Sequence, residues 1–315
     1  MRDLRIVFMG TPDFAVETLK NIIDHKYKVV GVITAPDRPA GRGRKLKASA
    51  VKEYALSKDL KILQPTNLKS EDFINELKEL QANLFVIVAF RMLPEVVWKL
   101  PEYGTFNLHA SLLPDYRGAA PINWAIINDE SKTGVSTFFI DEKIDTGHII
   151  FQKEVEIEKN DNAGTLHDKL MNTGATLVID TIKAIENNTV QTTPQPKGKI
   201  TKTAYKLNRE NTKIDWNQDM EVIVNLIRGL SPYPSAWCTL LNNGISNQIK
   251  LYDVSVVEEP NTYDIGKIII EENMIKVAVK NGFIIVNKLQ LPGKKAMDSK
   301  SLLNGYTFYR DAKMM

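Results

Sequence analysis

The sequence predicts an α/β chain in two parts, a mostly parallel open sheet with helices on both faces followed by a smaller β-rich domain. Three observations predict it. Short apolar runs at residues 4–9 and 28–34 flank a segment, 14–23, that carries helical spacing after Asp13, which makes a strand, helix, strand unit. Such a unit pairs its strands in parallel through a right-handed crossover. Past residue 186 the composition turns to Pro, Gly and Lys and then to short strand-like runs. Finally, 315 residues with 43% hydrophobic content suit a globular chain of two domains better than one.

The elements follow in order. Residues 50–57 and 71–80 read as helices, 84–89 as an apolar, β-rich run fit for a buried central strand, and 105–108 as the next strand. Residues 135–140 form a strand that runs into a turn carrying Asp145, and a long helical pattern covers about 165–186. Residues 1–189 are thus expected to form one domain, 190–206 a linker and 207–315 a second domain. The stretch 187–206 holds Pro194, Pro196 and Gly198 with Lys197, Lys199, Lys202 and Lys206 and no acid, which makes the linker basic. Beyond it a helix near 220–228 leads into Ser-Pro-Tyr-Pro-Ser-Ala-Trp, with strands near 248–257, 266–270, 275–279 and 283–289.

Several classes of function are disfavoured. The single cysteine, Cys238, has no intramolecular disulfide partner, and four dispersed His residues make no zinc pattern, so metal-free chemistry is expected. The first ten residues read as a short charged lead into a strand rather than a signal peptide, and no apolar run approaches the length of a membrane span. A cytoplasmic monomer is expected. Gly10-Thr11-Pro12 follows the first strand, but neither Gly-x-Gly-x-x-Gly nor a Walker lysine is there, which argues against a nucleotide site at that turn.

The net charge of +3 conceals an asymmetry. Residues 1–190 hold 24 Lys and Arg against 26 Asp and Glu, whereas 191–315 hold 17 against 12. Within the acidic front, Arg38, Arg42, Arg44, Lys45, Lys47 and Lys52 crowd between Asp37 and Glu53. Most charge runs are solvated loops. Here Pro36, Pro39, Gly41 and Gly43 interrupt regular structure, so a mobile, extended basic arm suited to a polyanion is predicted.

The most informative stretch runs from Gly104 to Gly147. Asn107 and His109 are two residues apart on a predicted strand, so period-two alternation points both side chains to one side. The turn Asp145-Thr146-Gly147 brings a carboxylate within reach of the imidazole. Taken singly, each residue has an ordinary structural use. Together, Asn107-x-His109, Ser111-Leu112-Leu113-Pro114, Arg117-Gly118 and Asp145-Thr146-Gly147 resemble, in order and separation, the folate-dependent formyltransferase family. The likeness covers nearly the whole chain. Residues 214–216 and 228–237 resemble the β-barrel domain appended in those members that act on aminoacyl-tRNA.

The resemblance implies a Rossmann-like catalytic domain with an OB-like barrel behind it. It implies 10-formyltetrahydrofolate as formyl donor, with Ser111, Leu112, Leu113, Pro114, Phe90 and Met92 shaping the folate site. Many family members carry Ala-Tyr-Gly where this chain has Ala89-Phe90-Arg91, so contacts there are expected through the backbone. For the chemistry, Asn107 would donate to the oxyanion, His109 would act as acid or stabilising donor, and Asp145 would orient His109 and help remove the amine proton. Ser111 lies near His109 but lacks a Gly-x-Ser-x-Gly elbow, which sets it apart from a hydrolase nucleophile. His148 and His167 are expected to be structural or exposed. The expected acceptor is the methionine amine of initiator methionyl-tRNA, with Arg42, Arg44, Lys45 and Lys47 on its phosphates. An amino-sugar nucleotide is the alternative acceptor, and a catalytically silent RNA-binding protein would have no use for Asn107, His109 and Asp145 together.

Overall fold

A computed structural model describes residues 1–40, 45–196 and 202–315. The chain divides into two compact units, the first comprising Met1–Gly118, Lys132–Glu156 and His167–Thr203, the second Ala119–Ser131, Ile157–Leu166 and Ala204–Met315. Each has its own sheet.

In chain order the front of the molecule runs β1 (Arg5–Gly10), α1 (Asp13–Asp24), β2 (Lys28–Ile33), β3 (Arg38–Ala40), β4 (Lys45–Lys47), α2 (Ala50–Ser57), β5 (Ile62–Leu63), α3 (Glu71–Glu79), β6 (Leu84–Val88), α4 (Glu95–Trp98) and β7 (Thr105–His109). It continues with β8 (Arg117–Gly118), α5 (Pro121–Ile127), β9 (Lys132–Phe139), β10 (Ile149–Glu156) and α6 (Ala163–Glu186). The first unit's main sheet has the order β10-β9-β7-β6-β1-β2-β5. Five strands, β5 to β7 in that row, are parallel, and β9 and β10 are added antiparallel. The order reverses between β1 and β6, which is where an open α/β sheet leaves room for a ligand beyond its carboxyl ends.

Burial explains the sheet. Every residue of β6 is buried, as a strand covered on both faces requires. Phe8, Phe85, Phe106 and Phe138 are fully enclosed and hold four neighbouring strands to the flanking layers. Several elements were not expected from the sequence, four of them short or irregular. Helix α4 is a single turn, α5 starts at Pro121 and is only seven residues long, β5 has two residues, and β10 is an edge strand whose middle is polar and exposed, so it shows no alternation.

The basic arm is corrected by the structure. Instead of an extended segment, Arg38–Ala40 pairs antiparallel with Lys45–Lys47, so the arm is a short hairpin. Its base is tied down. Asp37 accepts from Lys52 at 2.6 Å and from Gln64 at 2.9 Å, and these bonds hold its carboxyl below the usual carboxylate range. Ser49 caps α2 by accepting from the Lys52 amide and meets Thr34 at 2.6 Å. Of the residues assigned to phosphate contact, Lys47 is exposed, whereas Arg42 and Arg44 lie outside the described residues.

The second unit adds β11 (Thr203–Ala204), at its border with the first, α7 (Met220–Leu230), β12 (Ala236–Asn242), β13 (Ile245–Val257), β14 (Ile268–Glu271), β15 (Met274–Val279), β16 (Gly282–Gln290), β17 (Met297–Asp298), α8 (Ser299–Leu303) and β18 (Lys313–Met314). Its sheet runs β14-β15-β16-β13-β12-β18, all antiparallel. Met314 donates to the Gly266 carbonyl at 2.8 Å and Ile268 to Ala312 at 3.1 Å, so the two ends of the row meet and the sheet closes as a barrel. Gly266 permits that closure. Its φ is +85°, and a Cβ there would lie 2.1 Å from the Met314 carbonyl oxygen. Inside, Cys238, Leu240, Ile249, Leu251, Ile275, Val277, Ile284 and Val286 pack against Ile223 and Ile227 of α7. Among the described residues no helix is long and apolar enough to cross a membrane.

Candidate active site

Asn107 and His109 lie on one face of β7, as their spacing predicts, flanked by β6 on one side and β9 on the other. Parallel pairing sets Asn107 beside Ile87, and antiparallel pairing sets it opposite Phe138 and His109 opposite Ser136. The Asn107 carboxamide is half-buried and has no protein hydrogen-bond partner among the described residues. It is a donor without an internal task.

His109 is only 7% exposed, and its ring is fixed by the main chain. Nε2 lies 2.9 Å from the Tyr116 carbonyl oxygen, which can only accept, so Nε2 carries a proton. Nδ1 is then the ring nitrogen with no hydrogen-bond partner among the described residues. Asp145 Oδ2 stands 3.9 Å from Nδ1, beyond hydrogen-bond range, and accepts instead from the Gly118 amide at 3.0 Å. The sequence assigned the orienting of His109 to Asp145. In the structure Tyr116 orients the ring, and the carboxylate faces the free nitrogen as a charge partner.

Local geometry explains the Asp-Thr-Gly turn. Asp145 adopts φ +55°, and a Cβ on Gly147 would lie 1.6 Å from the Phe139 carbonyl oxygen, so no other residue fits there. Phe139 donates to His148 across the base of the loop at 3.0 Å. Within it, Asp141 accepts from the Thr146 hydroxyl at 2.6 Å and from the Lys143 amide at 3.0 Å. Gln195 donates to the carbonyls of Asp145 and Gly147 and accepts from Arg117. Burial holds the Arg117 guanidinium below its ordinary value, an effect opposed by Asp145 and Asp141.

The Ser-Leu-Leu-Pro segment forms the framework beside this site. Ser111 is fully buried, donates its hydroxyl to Asp115 at 2.6 Å, and its carbonyl accepts from Ser136. It has neither the exposure nor the free hydroxyl of a nucleophile. Ser136 also accepts from the Leu113 amide, while Gln152 donates to the Leu113 carbonyl at 2.9 Å. Leu112 and Pro114 remain partly exposed. After β6 the chain turns at Ala89, φ +47°, then Phe90 packs partly on the core while Met92 is 67% exposed. Arg91 donates to the carbonyls of Pro65 and Thr66, and a groove opens there between Leu68, Met92, Leu93, Pro94 and Val96.

His148 and His167 stay outside the site. His148 is exposed beside Thr192, and His167 pairs with Asp168 and meets the Phe14 ring edge-on. Sequence reasoning missed the Tyr116 carbonyl, the Gly118 amide and Gln195. The first two are backbone groups that any residue supplies, although Arg117-Gly118 belonged to the motif; Gln195 carried no signal at all.

With this geometry established, comparison with known proteins is direct. Residues 4–182 match the formyl transferase family and 206–307 match its C-terminal domain. The methionyl-tRNA formyltransferase of Flavobacterium johnsoniae is 62% identical over 314 residues, covering 100% of both chains, and that of Bacteroides fragilis is 50% identical over 99% of this chain and 98% of its own. Among solved structures, the sugar 3N-formyl transferase WlaRD, crystallised with dTDP and 5-N-formyl-THF, superimposes with a TM-score of 0.65 at 23% identity over 94% of this chain and 100% of its own. At that identity the likeness is one of fold.

Proposed function

The chain belongs to the formyl transferase family, and from that premise we propose that it transfers the formyl group of 10-formyltetrahydrofolate to the amino group of methionine on initiator methionyl-tRNA. The observation that carries the acceptor is full-length identity of 62% to a methionyl-tRNA formyltransferase, through both units. The sugar formyltransferases share the fold at 23–24% identity, which supports no claim about their acceptor here.

The reaction breaks the C–N10 bond of the donor and forms a C–N bond to the amine. Negative charge develops on the formyl oxygen, the incoming nitrogen must lose a proton and the departing one must gain it. Asn107, with its unpartnered carboxamide, donates to the developing oxyanion, a contact typically worth ~10²–10³ in rate. Asp145 takes up the proton of the amine, since its carboxylate is held by one amide and keeps lone pairs free. His109 hands a proton from Nδ1 toward the leaving nitrogen, its Nε2 being committed to Tyr116. None of these steps calls for a metal. A folate donor suits the groove after β6, where Leu68, Met92, Leu93 and Pro94 offer apolar contact, while Leu112 and Pro114 of the Ser-Leu-Leu-Pro loop are partly exposed.

On the acceptor side, the strand pair bearing Lys45 and Lys47, together with Arg42 and Arg44 of the same sequence segment, supplies cations for tRNA phosphates, and residues 191–315 add 17 Lys and Arg against 12 Asp and Glu. A formylation assay offering initiator methionyl-tRNA, elongator methionyl-tRNA and a dTDP-linked amino sugar tests the assignment. Transfer to the initiator alone supports it; transfer to the sugar alone would replace it.

A further inference from the structure

Gln195 belongs to neither matched family region, since these end at 182 and resume at 206. It is nonetheless 8% exposed and fully hydrogen-bonded within the first unit. Its Nε2 donates to the Asp145 carbonyl at 3.0 Å and the Gly147 carbonyl at 2.8 Å, while its Oε1 accepts from Arg117 Nε at 3.0 Å and from Nη2. Only a carboxamide of this length offers two donors on one side and an acceptor on the other.

These bonds close a ring around the catalytic groups. Arg117 is followed by Gly118, whose amide holds the Asp145 carboxylate, and preceded by Tyr116, whose carbonyl holds the His109 ring. Gln195 ties that three-residue segment to the backbone of Asp145 itself. Left-handed backbone at Asp145 persists only where its surroundings over-determine it, and Gln195 supplies two of the bonds that do so. Main-chain pairing seats Gln195 in turn, because Thr193 and Ile149 exchange both amide bonds at 2.8 Å.

We propose that Gln195 is a positioning residue for formyl transfer: by clamping the carbonyls of Asp145 and Gly147 to Arg117, it fixes the Asp145 carboxylate relative to His109 Nδ1. The proposal rests on the formyl-transfer reading. It acts through Asp145 and touches no substrate. A misplacement of about 1 Å in a reacting group costs on the order of 10²-fold in rate, so loss of the clamp should reach kcat and spare binding.

The test uses the full chain with Gln195→Met, which keeps the volume, and Gln195→Glu, which keeps the acceptor for Arg117 but turns an oxygen toward two carbonyls. Both should lower kcat by about 10–100-fold with KM for each substrate changed less than about threefold. In an Asp145→Asn background the same change should cost less than about twofold, because the interaction it supports is already gone. Hydrogen exchange at the Gly118 amide should accelerate while the amides of β6 and β7 stay protected. Additive losses, near-normal kcat in a folded variant, or unchanged Gly118 protection would each overturn the proposal. The exchange readout needs no turnover, so it separates failure of the clamp from failure of the formyl-transfer reading, on which the wild-type rate reports.

Discussion

At the scale of the residue, the proposed site divides into side chains assigned the chemistry and backbone that holds them in place. Asn107, His109 and Asp145 were legible as candidates because each carries its proposed chemistry in its side chain and sits in a spaced motif. The Tyr116 carbonyl and Gly118 amide were not, because every residue owns such groups and only the fold says where they point. Ser111 illustrates the same limit: a hydroxyl two residues from a His suggests a nucleophile, yet burial and the bond to Asp115 give it a framework role. Ser111→Ala is therefore expected to lower stability by about 0.5–1.5 kcal/mol, read by denaturant titration, while turnover remains measurable and no formyl-enzyme adduct accumulates. Gly147→Ala should act in the opposite sense. A Cβ cannot coexist with the Phe139 carbonyl, so the loop must shift and kcat should fall at least ~10-fold, more than the thermal midpoint would suggest. Cys238 marks the second unit's interior, where burial pushes its thiol up to about 12. Thiol reagents at neutral pH should leave the native protein unlabelled and modify it only in denaturant, as mass spectrometry would register.

At the scale of the element, legibility follows periodicity. Helices α1, α2 and α3 and strands β1, β2, β6 and β7 emerged from the sequence to within a residue or two, because each presents a buried face or core run to its neighbours. Edge strand β10 did not, since its middle residues, 151–154, are all exposed and break any alternation. Strand β12 alternates buried and half-buried positions and ends in an Asn-Gly turn, Asn243-Gly244, a hairpin signal that the sequence reading passed over. The hairpin β3–β4 is the opposite case. Pro39 and the glycines signalled an extended arm, whereas cross-strand pairing and the Asp37–Lys52 anchor make a ribbon of it. If that ribbon carries tRNA phosphates, combined Lys45→Ala and Lys47→Ala should flatten the slope of log K against log salt by about 1–2, as filter binding would show. An unchanged slope would return the hairpin to ordinary surface.

At the scale of the whole molecule, one chain holds two units of different architecture, and the proposed function gives both a part. The proposed donor site lies at β6 and β7 of the parallel sheet, and the composition of that sheet alone would not distinguish one formyl acceptor from another. Residues 191–315 carry an excess of cations, 17 against 12, and the second unit was legible as a β-rich domain although closure of the barrel through Gly266 and Met314 was not. That contact joins residues far apart in sequence, which no local pattern encodes. The linker shows the same effect, for Thr193 and Gln195 read as part of a basic tether yet are built into the first unit. The central claim is that Asn107, His109 and Asp145 perform formyl transfer to methionyl-tRNA. Single-turnover formylation of initiator methionyl-tRNA by 10-formyltetrahydrofolate, compared between the wild type and His109→Ala, tests it most directly. The account predicts rapid formation of formylmethionyl-tRNA by the wild type and a loss of at least ~100-fold in the variant, with folate and tRNA still bound. A folded His109→Ala protein that formylates at close to the wild-type rate would contradict it.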